Sequence, residues 1–345
     1  MASEIGIGIA GLGRSGWSIH ARALGELDDH YRVIAVSDPL AERRGEASER
    51  FGCAAHEEFG ALLEDERIEV VVVAAPSHLH AEYTIAALRA GKHVVCEKPM
   101  ATDVAAATEM SAAAEETGRL LTVFQNYRYH GDVAKVREVL ASGVLGRIVL
   151  IRIAHHSFTR RWDWQTLQRY GGGSMNNTGP HVIDTGLLLF GEGEPQVSCV
   201  RDCTRTLGDA DDHVLILLRG ERNPTVQIEI TAACAYPQEK WLVMGVEGGL
   251  TGSGSELHWR FVEPGSLPER TLSTEPTPDR SYNRDPAVWV QHSWSQDEAP
   301  AGRGDAGFYL DLYAAVRDGQ PVPVPAGEVL RQMRVMEECR RQAPL

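Results

Sequence analysis

The sequence has no long hydrophobic run, no cluster of basic residues and no cysteine pattern typical of a disulfide or metal framework. No apolar stretch reaches the roughly 20 residues that cross a bilayer. The N-terminus has no basic region ahead of its apolar run, so we expect neither a membrane span nor a secretory signal. The net charge of −14 argues against nucleic acid and anionic membranes as partners, because no basic stripe offsets it.

The six cysteines are scattered along the chain, and only Cys199 and Cys203 lie close together. No second pair at zinc spacing accompanies them, so we expect no metal site. Reduced thiols in a cytoplasmic protein are the simplest interpretation.

The length of 345 residues predicts two domains. Up to about residue 125 the chain alternates short β-branched runs with alanine-rich amphipathic segments, from a strand at Ile5–Ala10 to another at Leu120–Phe124. Alternation of this kind is typical of a parallel, doubly wound sheet. We therefore predict a dinucleotide-binding α/β domain over residues 1–125.

The pattern changes in residues 126–345, where longer strands are predicted. Apolar and polar residues alternate in Thr225–Thr231, as in a sheet with one covered face. This part predicts an α+β domain rich in antiparallel strands. The segment from Pro264 to Gly307 is rich in Pro, Ser, Asp, Arg and Gly and predicts a long surface excursion, followed by helices near Phe308–Asp318 and Gly327–Gln342.

A glycine-rich motif, Gly11-x-Gly13-Arg14-Ser15-Gly16, follows the first predicted strand and opens a helix. Glycines allow a tight turn and let the backbone approach a pyrophosphate, while the helix N-terminus offers N–H groups and the positive end of its dipole. In this context the motif predicts dinucleotide binding. The alternative is an ordinary glycine turn.

Asp38 ends the second predicted strand, 22 residues after Gly16. An acidic side chain at this position accepts hydrogen bonds from a ribose 2′-hydroxyl, which favours NAD over NADP. Arg43 or Arg44 offers the alternative of reaching a 2′-phosphate. The alternative role for Asp38 is that of a helix cap ahead of Pro39.

Two further segments follow predicted strands at the carboxyl edge of the sheet, where a ligand-binding crevice is expected. Ala75 and Pro76 follow the fourth strand and would line the nicotinamide pocket, with His80 on the next helical turn either near the cofactor or packed as a capping residue. Lys98 follows the fifth strand, where its ammonium can hydrogen-bond a substrate hydroxyl. Glu97 would hold Lys98 or the cofactor ribose, and a surface ion pair is the alternative.

His181 follows a glycine-rich turn and is the candidate acid/base. Removal of hydride from a secondary alcohol needs a base for the hydroxyl proton, and the pKa of histidine lies near neutral pH. Asn177 lies one helical turn earlier, and Asp184 three residues later could orient the imidazole. The alternative is a capped helix N-terminus with His181 in the core.

Taken together, these motifs resemble the Gfo/Idh/MocA family of sugar and inositol oxidoreductases over nearly the whole chain. The residues that carry the resemblance are Gly11-x-Gly13-x-x-Gly16, Asp38, Ala75-Pro76-x-x-x-His80, Glu97-Lys98-Pro99, Tyr127-Arg128-Tyr129, Gly171 to Asp184 and Phe308-Tyr309-x-Asp311-Leu312.

The resemblance implies an N-terminal Rossmann domain and a C-terminal domain whose open, mostly antiparallel sheet mediates homodimers or homotetramers. It implies Lys98 as the lysine shared by substrate and cofactor, and His181 as the acid/base. Asn126 would lie beside the nicotinamide, and Tyr127 and Thr178 near the substrate. The family commonly has aspartate where this chain has Asn177, and an amide cannot stabilise a protonated histidine by charge.

Two weaker features lie outside this pattern. The acidic run from Asp209 to Asp212 resembles a metal cluster, but it follows Gly208 and precedes a strand, so we predict a solvated turn. Trp162 lies in an Arg- and Trp-rich loop, where it would either stack on a sugar or anchor the loop.

The leading hypothesis is an NAD-dependent dehydrogenase of a sugar, inositol or related small polyol. One alternative is an enzyme that retains its cofactor and uses transient oxidation to cleave a glycosidic bond. The other is a non-catalytic, ligand-sensing relative that works through a protein partner.

Overall fold

The computed structural model describes residues 4–277 and 280–345. Its first part is a six-stranded parallel sheet in the order β3-β2-β1-β4-β5-β6. The strands β1 and β4 are buried along their whole length, as expected of central strands covered on both faces. The six strands are β1 (Ile5–Ala10), β2 (Tyr31–Ser37), β3 (Ala54–His56), β4 (Val70–Val73), β5 (His93–Cys96) and β6 (Leu121–Val123).

Helices connect these strands. The chain leaves β1 through a π-helical segment, Gly16–Ala21, and strand order reverses between β1 and β4, which places a crevice at the carboxyl ends of the strands. The helix Val104–Thr117 is capped at its N-terminus by Asp103, whose side chain accepts the N–H of Ala106. At its C-terminus it is capped by Gly118, which has φ 62°. The helices are α1 (Arg22–Gly25), α2 (Ala41–Phe51), α3 (Phe59–Leu63), α4 (His80–Arg89) and α5 (Val104–Thr117).

The second part is an eight-stranded sheet in the order β14-β13-β12-β11-β7-β10-β9-β8. Within this second sheet, as far as it is described, only β7 and β10 pair in parallel. The strands are β7 (Ile148–His156), β8 (Gln196–Asp202), β9 (His213–Arg219), β10 (Thr225–Thr231), β11 (Trp241–Gly245), β12 (Gly248–Gly252), β13 (Glu256–Val262) and β14 (Trp289–Ser295). The helices that follow β6 are α6 (Gly131–Ala141), α7 (Ser174–Asn177), α8 (Gly179–Phe190), α9 (Gly304–Asp318) and α10 (Ala326–Gln342).

This architecture confirms the predicted fold class, a doubly wound parallel sheet followed by a mostly antiparallel one. The predicted surface excursion from Pro264 to Gly307 is wrong in part. Trp289–Ser295 forms the edge strand β14, and α9 already begins at Gly304. Only Trp294 of this strand is buried, so its sequence lacks the regular alternation of apolar and polar residues that would reveal an edge strand. Pro278 and Asp279 lie outside the described residues.

The two C-terminal helices pack against both parts of the chain. In α9, Phe308, Tyr309 and Leu312 belong to the core of the first sheet. In α10, Met333 packs in that same core, whereas Met336 packs in the core of the second sheet. The chain therefore returns from the second sheet to complete the first. No helix in the described ranges is long and apolar enough to span a bilayer.

Because α9 packs into the core of the first sheet, we expect the free energy of unfolding to depend on its buried side chains. Phe308→Ala removes a fully buried ring and is expected to lower the free energy of unfolding by about 3–5 kcal/mol. Urea denaturation measures the change. The control is Leu272→Ala, because Leu272 is 94% exposed and its loss should cost less than about 0.5 kcal/mol. Equal stabilities of the two variants would contradict the packing described.

Candidate active site

In the turn after β1, two of the three motif glycines are closely packed and one faces open space. Gly11 has φ 93°, and a Cβ there would lie 2.6 Å from the carbonyl oxygen of Ala74. A Cβ on Gly16 would lie 1.9 Å from the carbonyl oxygen of Gly11. At Gly13, by contrast, no described atom lies within 4 Å of such a Cβ. The first and third glycines are thus required by packing, whereas the second faces open space into which a pyrophosphate would fit.

Asp38 connects the end of β2 to this turn. Its Oδ2 accepts the N–H of Leu12 at 2.8 Å, and its Oδ1 accepts the N–H of Leu40 at 2.9 Å. The carboxylate retains lone pairs for ribose hydroxyls. Arg43 Nη1 lies 3.4 Å from Oδ2, so a cation borders the same position. Arg14, next to the open glycine, is exposed at the start of the first helix.

His80 lies between two loops that border the crevice. Its Nδ1 is 2.8 Å from the carbonyl oxygen of Pro99, and its Nε2 is 2.9 Å from that of Ala75. The side chain is 1% exposed, and this burial lowers its pKa. The imidazole therefore ties the Ala75–Pro76 turn to the loop after Lys98, as expected of a packing residue.

Lys98 extends from the end of β5 towards the second part of the chain. Its Nζ donates a hydrogen bond of 3.1 Å to the carbonyl oxygen of Asn177. Burial lowers the pKa of Lys98, while the negative charge of Glu97 opposes this effect and the positive charge of Arg14 adds to it. The ammonium thus lies where the first helix, β5 and α7 meet.

His181 lies in the first turn of α8, and Tyr127 packs against it. The two rings stack with centroids 4.2 Å apart and an interplanar angle of 12°. Nδ1 of His181 is buried and has no hydrogen-bond partner among the described residues. Burial, reinforced by the charge of Lys98, lowers the pKa of His181 to about 3. Lys98 and His181 therefore share one site, and the imidazole is neutral there.

A cavity of about 130 Å³ adjoins this site beside β7 and the glycine-rich turn. Its wall is rich in hydroxyl groups and other hydrogen-bonding side chains. It includes Asn177 and Thr178, from the glycine-rich segment that was predicted to form the site, and His155 near the end of β7. Further polar side chains in the wall are Ser157, Thr159, Arg161, Gln165, Thr166 and Thr206.

The expected contact between Asp184 and His181 is not formed. Both oxygens of the Asp184 carboxylate accept hydrogen bonds of 2.7 Å from Arg128, through Nε and Nη2. Asp184 is 2% exposed, so its charge is compensated by this pair within the protein. The prediction that Asp184 orients the imidazole is wrong for this structure, because a nearer cation binds the carboxylate.

The structure shows the surroundings of two other predicted site residues. Trp162 is 77% exposed on the loop after β7, so it does not anchor that loop by burial, and its stacking on a sugar stays a prediction. The side-chain amide of Asn126, at the carboxyl end of β6, donates to Asp305 at 3.1 Å. The amide is therefore held by α9 at the edge of the crevice.

The acidic run from Asp209 to Asp212 is not a solvated turn. Asp211 and Asp212 are each 2% exposed. Asp211 accepts the N–H of Met175 at 2.7 Å through Oδ2, and its carbonyl accepts the N–H of Ser174. These bonds hold the start of α7, just before the residues of the site. In the described ranges no group of three or more His, Cys, Asp or Glu side chains could hold a metal ion.

No role was predicted from the sequence for the buried residues that adjoin Glu97, next to Lys98. His20 and Tyr309 are fully buried and form hydrogen bonds that reach Glu97. Tyr309 was named only as part of the Phe308-Tyr309-x-Asp311-Leu312 motif, and nothing in the sequence connects it with a histidine 289 positions away.

Comparisons with known proteins agree with this geometry. Residues 5–125 match an oxidoreductase family with an NAD-binding Rossmann fold, and residues 133–251 match the Gfo/Idh/MocA C-terminal domain. An NAD-binding protein from Listeria innocua has the same fold, with a TM-score of 0.81 at 24% identity over 99% of this chain and 97% of that one.

Three curated relatives are similar in sequence. An uncharacterized oxidoreductase of Schizosaccharomyces pombe is 32% identical over 97% of this chain and 96% of its own length. The NADP-dependent scyllo-inositol 2-dehydrogenase IolW of Bacillus subtilis is 26% identical over 96% of this chain and 92% of its own. Levoglucosan dehydrogenase of Pseudarthrobacter phenanthrenivorans is 28% identical over 63% of this chain and 62% of its own.

The fold and the glycine turn define an NAD(P)-binding oxidoreductase. Within that class, the chain belongs to the Gfo/Idh/MocA family.

The geometry of the turn predicts different effects at two of its glycines. Gly13→Ala is expected to weaken dinucleotide binding at least tenfold, about 1.4 kcal/mol, without changing the melting temperature of the free protein, because its Cβ enters open space. Gly16→Ala should lower that melting temperature, because its Cβ meets the Gly11 carbonyl. Cofactor titration by fluorescence and thermal melting measure the two effects.

The control is Gly45→Ala in α2, where a Cβ also meets no described atom within 4 Å. It should leave cofactor affinity unchanged. Unaltered cofactor binding by Gly13→Ala would contradict the placement of the pyrophosphate.

Proposed function

We propose that this oxidoreductase is an NAD-dependent dehydrogenase of a polyhydroxylated small molecule such as a sugar or an inositol. The observation that supports it most directly is the meeting of the Lys98 ammonium and the neutral His181 imidazole at the end of β5. A cation and a proton acceptor side by side are the two groups that oxidation of an alcohol needs.

In this mechanism His181 accepts the proton of the substrate hydroxyl. Its imidazole is neutral because burial and the charge of Lys98 disfavour the protonated form. Lys98 donates a hydrogen bond to the same substrate oxygen and stabilises the negative charge that develops there. The bound nicotinamide supplies the hydride acceptor. Asn177 and Thr178, in the wall of the adjoining cavity, hydrogen-bond further hydroxyl groups.

The preference for NAD over NADP rests on Asp38. Its buried carboxylate ends β2 beside the glycine turn, where it would accept ribose hydroxyls and repel a 2′-phosphate. Arg43 borders the same position, and the relative IolW is NADP-dependent. Both cofactors therefore belong in the assay, with NAD expected to give the higher kcat/KM.

The test is to follow the absorbance of reduced nicotinamide while the protein is incubated with NAD or NADP and a panel of sugars and inositols. At least one member of the panel should be oxidised. His181→Gln is expected to lower kcat by roughly 10²–10⁴-fold, the usual contribution of a positioned base. The variant should still bind cofactor in a fluorescence titration. Demonstrated cofactor binding without turnover of any polyol would contradict the proposal.

The lowered pKa values of His181 and Lys98 predict how kcat/KM in this assay depends on pH. The pKa of His181 is lowered to about 3, so the imidazole is unprotonated throughout the neutral and mildly acidic range and kcat/KM should show no loss near pH 6.5 on the acid side. The pKa of Lys98 is also lowered, so the ammonium and the activity should be lost on the alkaline side below its ordinary value of 10.5. An acid limb near pH 6.5 that disappears in His181→Gln would contradict the low pKa.

We also infer that the uncovered face of the second sheet binds a second copy of the chain. It carries a groove of about 1000 Å³ lined by residues of β11 to β14, including Trp259 and Trp289. Met244 on this face is 44% exposed. A broad surface of exposed aromatic and aliphatic side chains is typical of protein–protein contacts.

Light scattering should therefore give a mass of at least twice the 37.8 kDa of one chain. Met244→Asp places a charge in the contact and should shift the protein towards the monomer. Leu272→Asp is the control, since Leu272 is 94% exposed outside this sheet. A monomeric wild-type protein would contradict the inference.

A further inference from the structure

A buried chain of hydrogen bonds runs from α9 to the residue before Lys98. The hydroxyl of Tyr309 lies 2.7 Å from Nδ1 of His20, and Nε2 of His20 lies 3.1 Å from Oε1 of Glu97. The second carboxylate oxygen, Oε2, accepts the backbone N–H of Lys98 at 2.9 Å. Tyr309 and His20 are fully buried and Glu97 is 5% exposed, so water does not substitute for these partners.

The chemistry of Glu97 fixes the direction of its hydrogen bonds. An ionised carboxylate can only accept, so Nε2 of His20 donates to Glu97. On the other side of the ring, Nδ1 is paired with the hydroxyl of Tyr309. Burial raises the pKa of Tyr309, so the phenol keeps its proton. Tyr31 Oη also donates to the carbonyl of Tyr309 at 2.5 Å, which holds that part of α9 in place.

A buried carboxylate remains ionised only when its partners offset the loss of water. Burial raises the pKa of Glu97, but the hydrogen bond from His20, with the nearby charge of Lys98, outweighs this effect and leaves the pKa below its ordinary value. The negative charge of Glu97 in turn favours the ammonium form of Lys98. Without that charge, both burial and Arg14 would favour loss of the proton from Lys98.

We propose that His20, hydrogen-bonded to Tyr309 on the far side of its ring, is a positioning residue that favours the ionised form of Glu97 and, through it, the ammonium form of Lys98. The charged and titratable groups that face Lys98 are Glu97, Arg14 from the first helix and His181 from α8. The functional importance of this hydrogen-bond chain rests on the role proposed above for Lys98, but the charge state of the lysine can be measured without turnover.

The chain contains only four lysines, at positions 92, 98, 135 and 240, which makes a direct titration practical. Reductive methylation with ¹³C-formaldehyde gives one NMR signal per dimethylated side chain, and Lys98→Arg identifies the signal of Lys98. A titration of the full-length protein against pH then gives the pKa of Lys98. The other three lysines serve as internal controls.

His20→Leu removes the donor to Glu97 and should lower the pKa of Lys98 by about one pH unit or more. His20→Gln retains an amide donor near the position of Nε2 and should keep most of the wild-type value. Tyr309→Phe removes the hydrogen bond at Nδ1 that holds the ring against Glu97. It should therefore also lower the pKa of Lys98. Melting temperatures are recorded for every variant.

A purely structural role would lower melting temperatures without a selective change at Lys98. The inference is overturned if folded His20→Leu titrates like the wild type at Lys98, or if His20→Gln and His20→Leu shift it equally. If His20→Leu does not fold, Tyr309→Phe decides, and an unchanged Lys98 signal there overturns the inference. A normal Lys98 titration in a wild-type protein that oxidises no polyol would instead refute the proposed function.

Discussion

The hydrogen bond from the Lys98 ammonium to the carbonyl oxygen of Asn177 is the contact on which the site depends. It joins the end of β5 in the first sheet to α7, which precedes the helix that carries His181. The two parts of the chain thereby present their functional groups to one crevice. A buried ammonium is costly unless it is paired, so the geometry of Lys98 is tied to the electrostatics of its surroundings.

Paired charge recurs around the crevice and holds the elements that form it. Glu97 is compensated by His20 and by the amide of Lys98. Asp184, in the same helix as His181, is compensated by Arg128, which follows β6. Each pair joins segments that are distant in sequence, and removing one partner would leave an uncompensated buried charge. The polar interior of this protein therefore orients the site as well as stabilising the fold.

The strands and helices of the first sheet could be predicted from the sequence because their signals are local. The strand Ile5–Ala10 occurs at the predicted residues, the last strand of the first sheet lies within the predicted Leu120–Phe124, and the glycine turn follows the first strand as its motif indicates. The partners of buried side chains could not be predicted. Arg128 and Asp184 are 56 positions apart, and the burial of Asp211 depends on a turn that its acidic sequence does not reveal. Tertiary contacts, which have no periodicity, decide these features.

Asn177 shows how one position combines two independent roles. Its backbone carbonyl binds Lys98, and any residue at this position could supply that contact. Its side chain borders the cavity beside His181 and is the part in which this chain differs from the aspartate common in the family. A carboxylate there would favour the imidazolium and raise the pKa of His181. With the amide at this position, burial and the charge of Lys98 lower the pKa of His181, and the backbone carbonyl still accepts a hydrogen bond from the lysine.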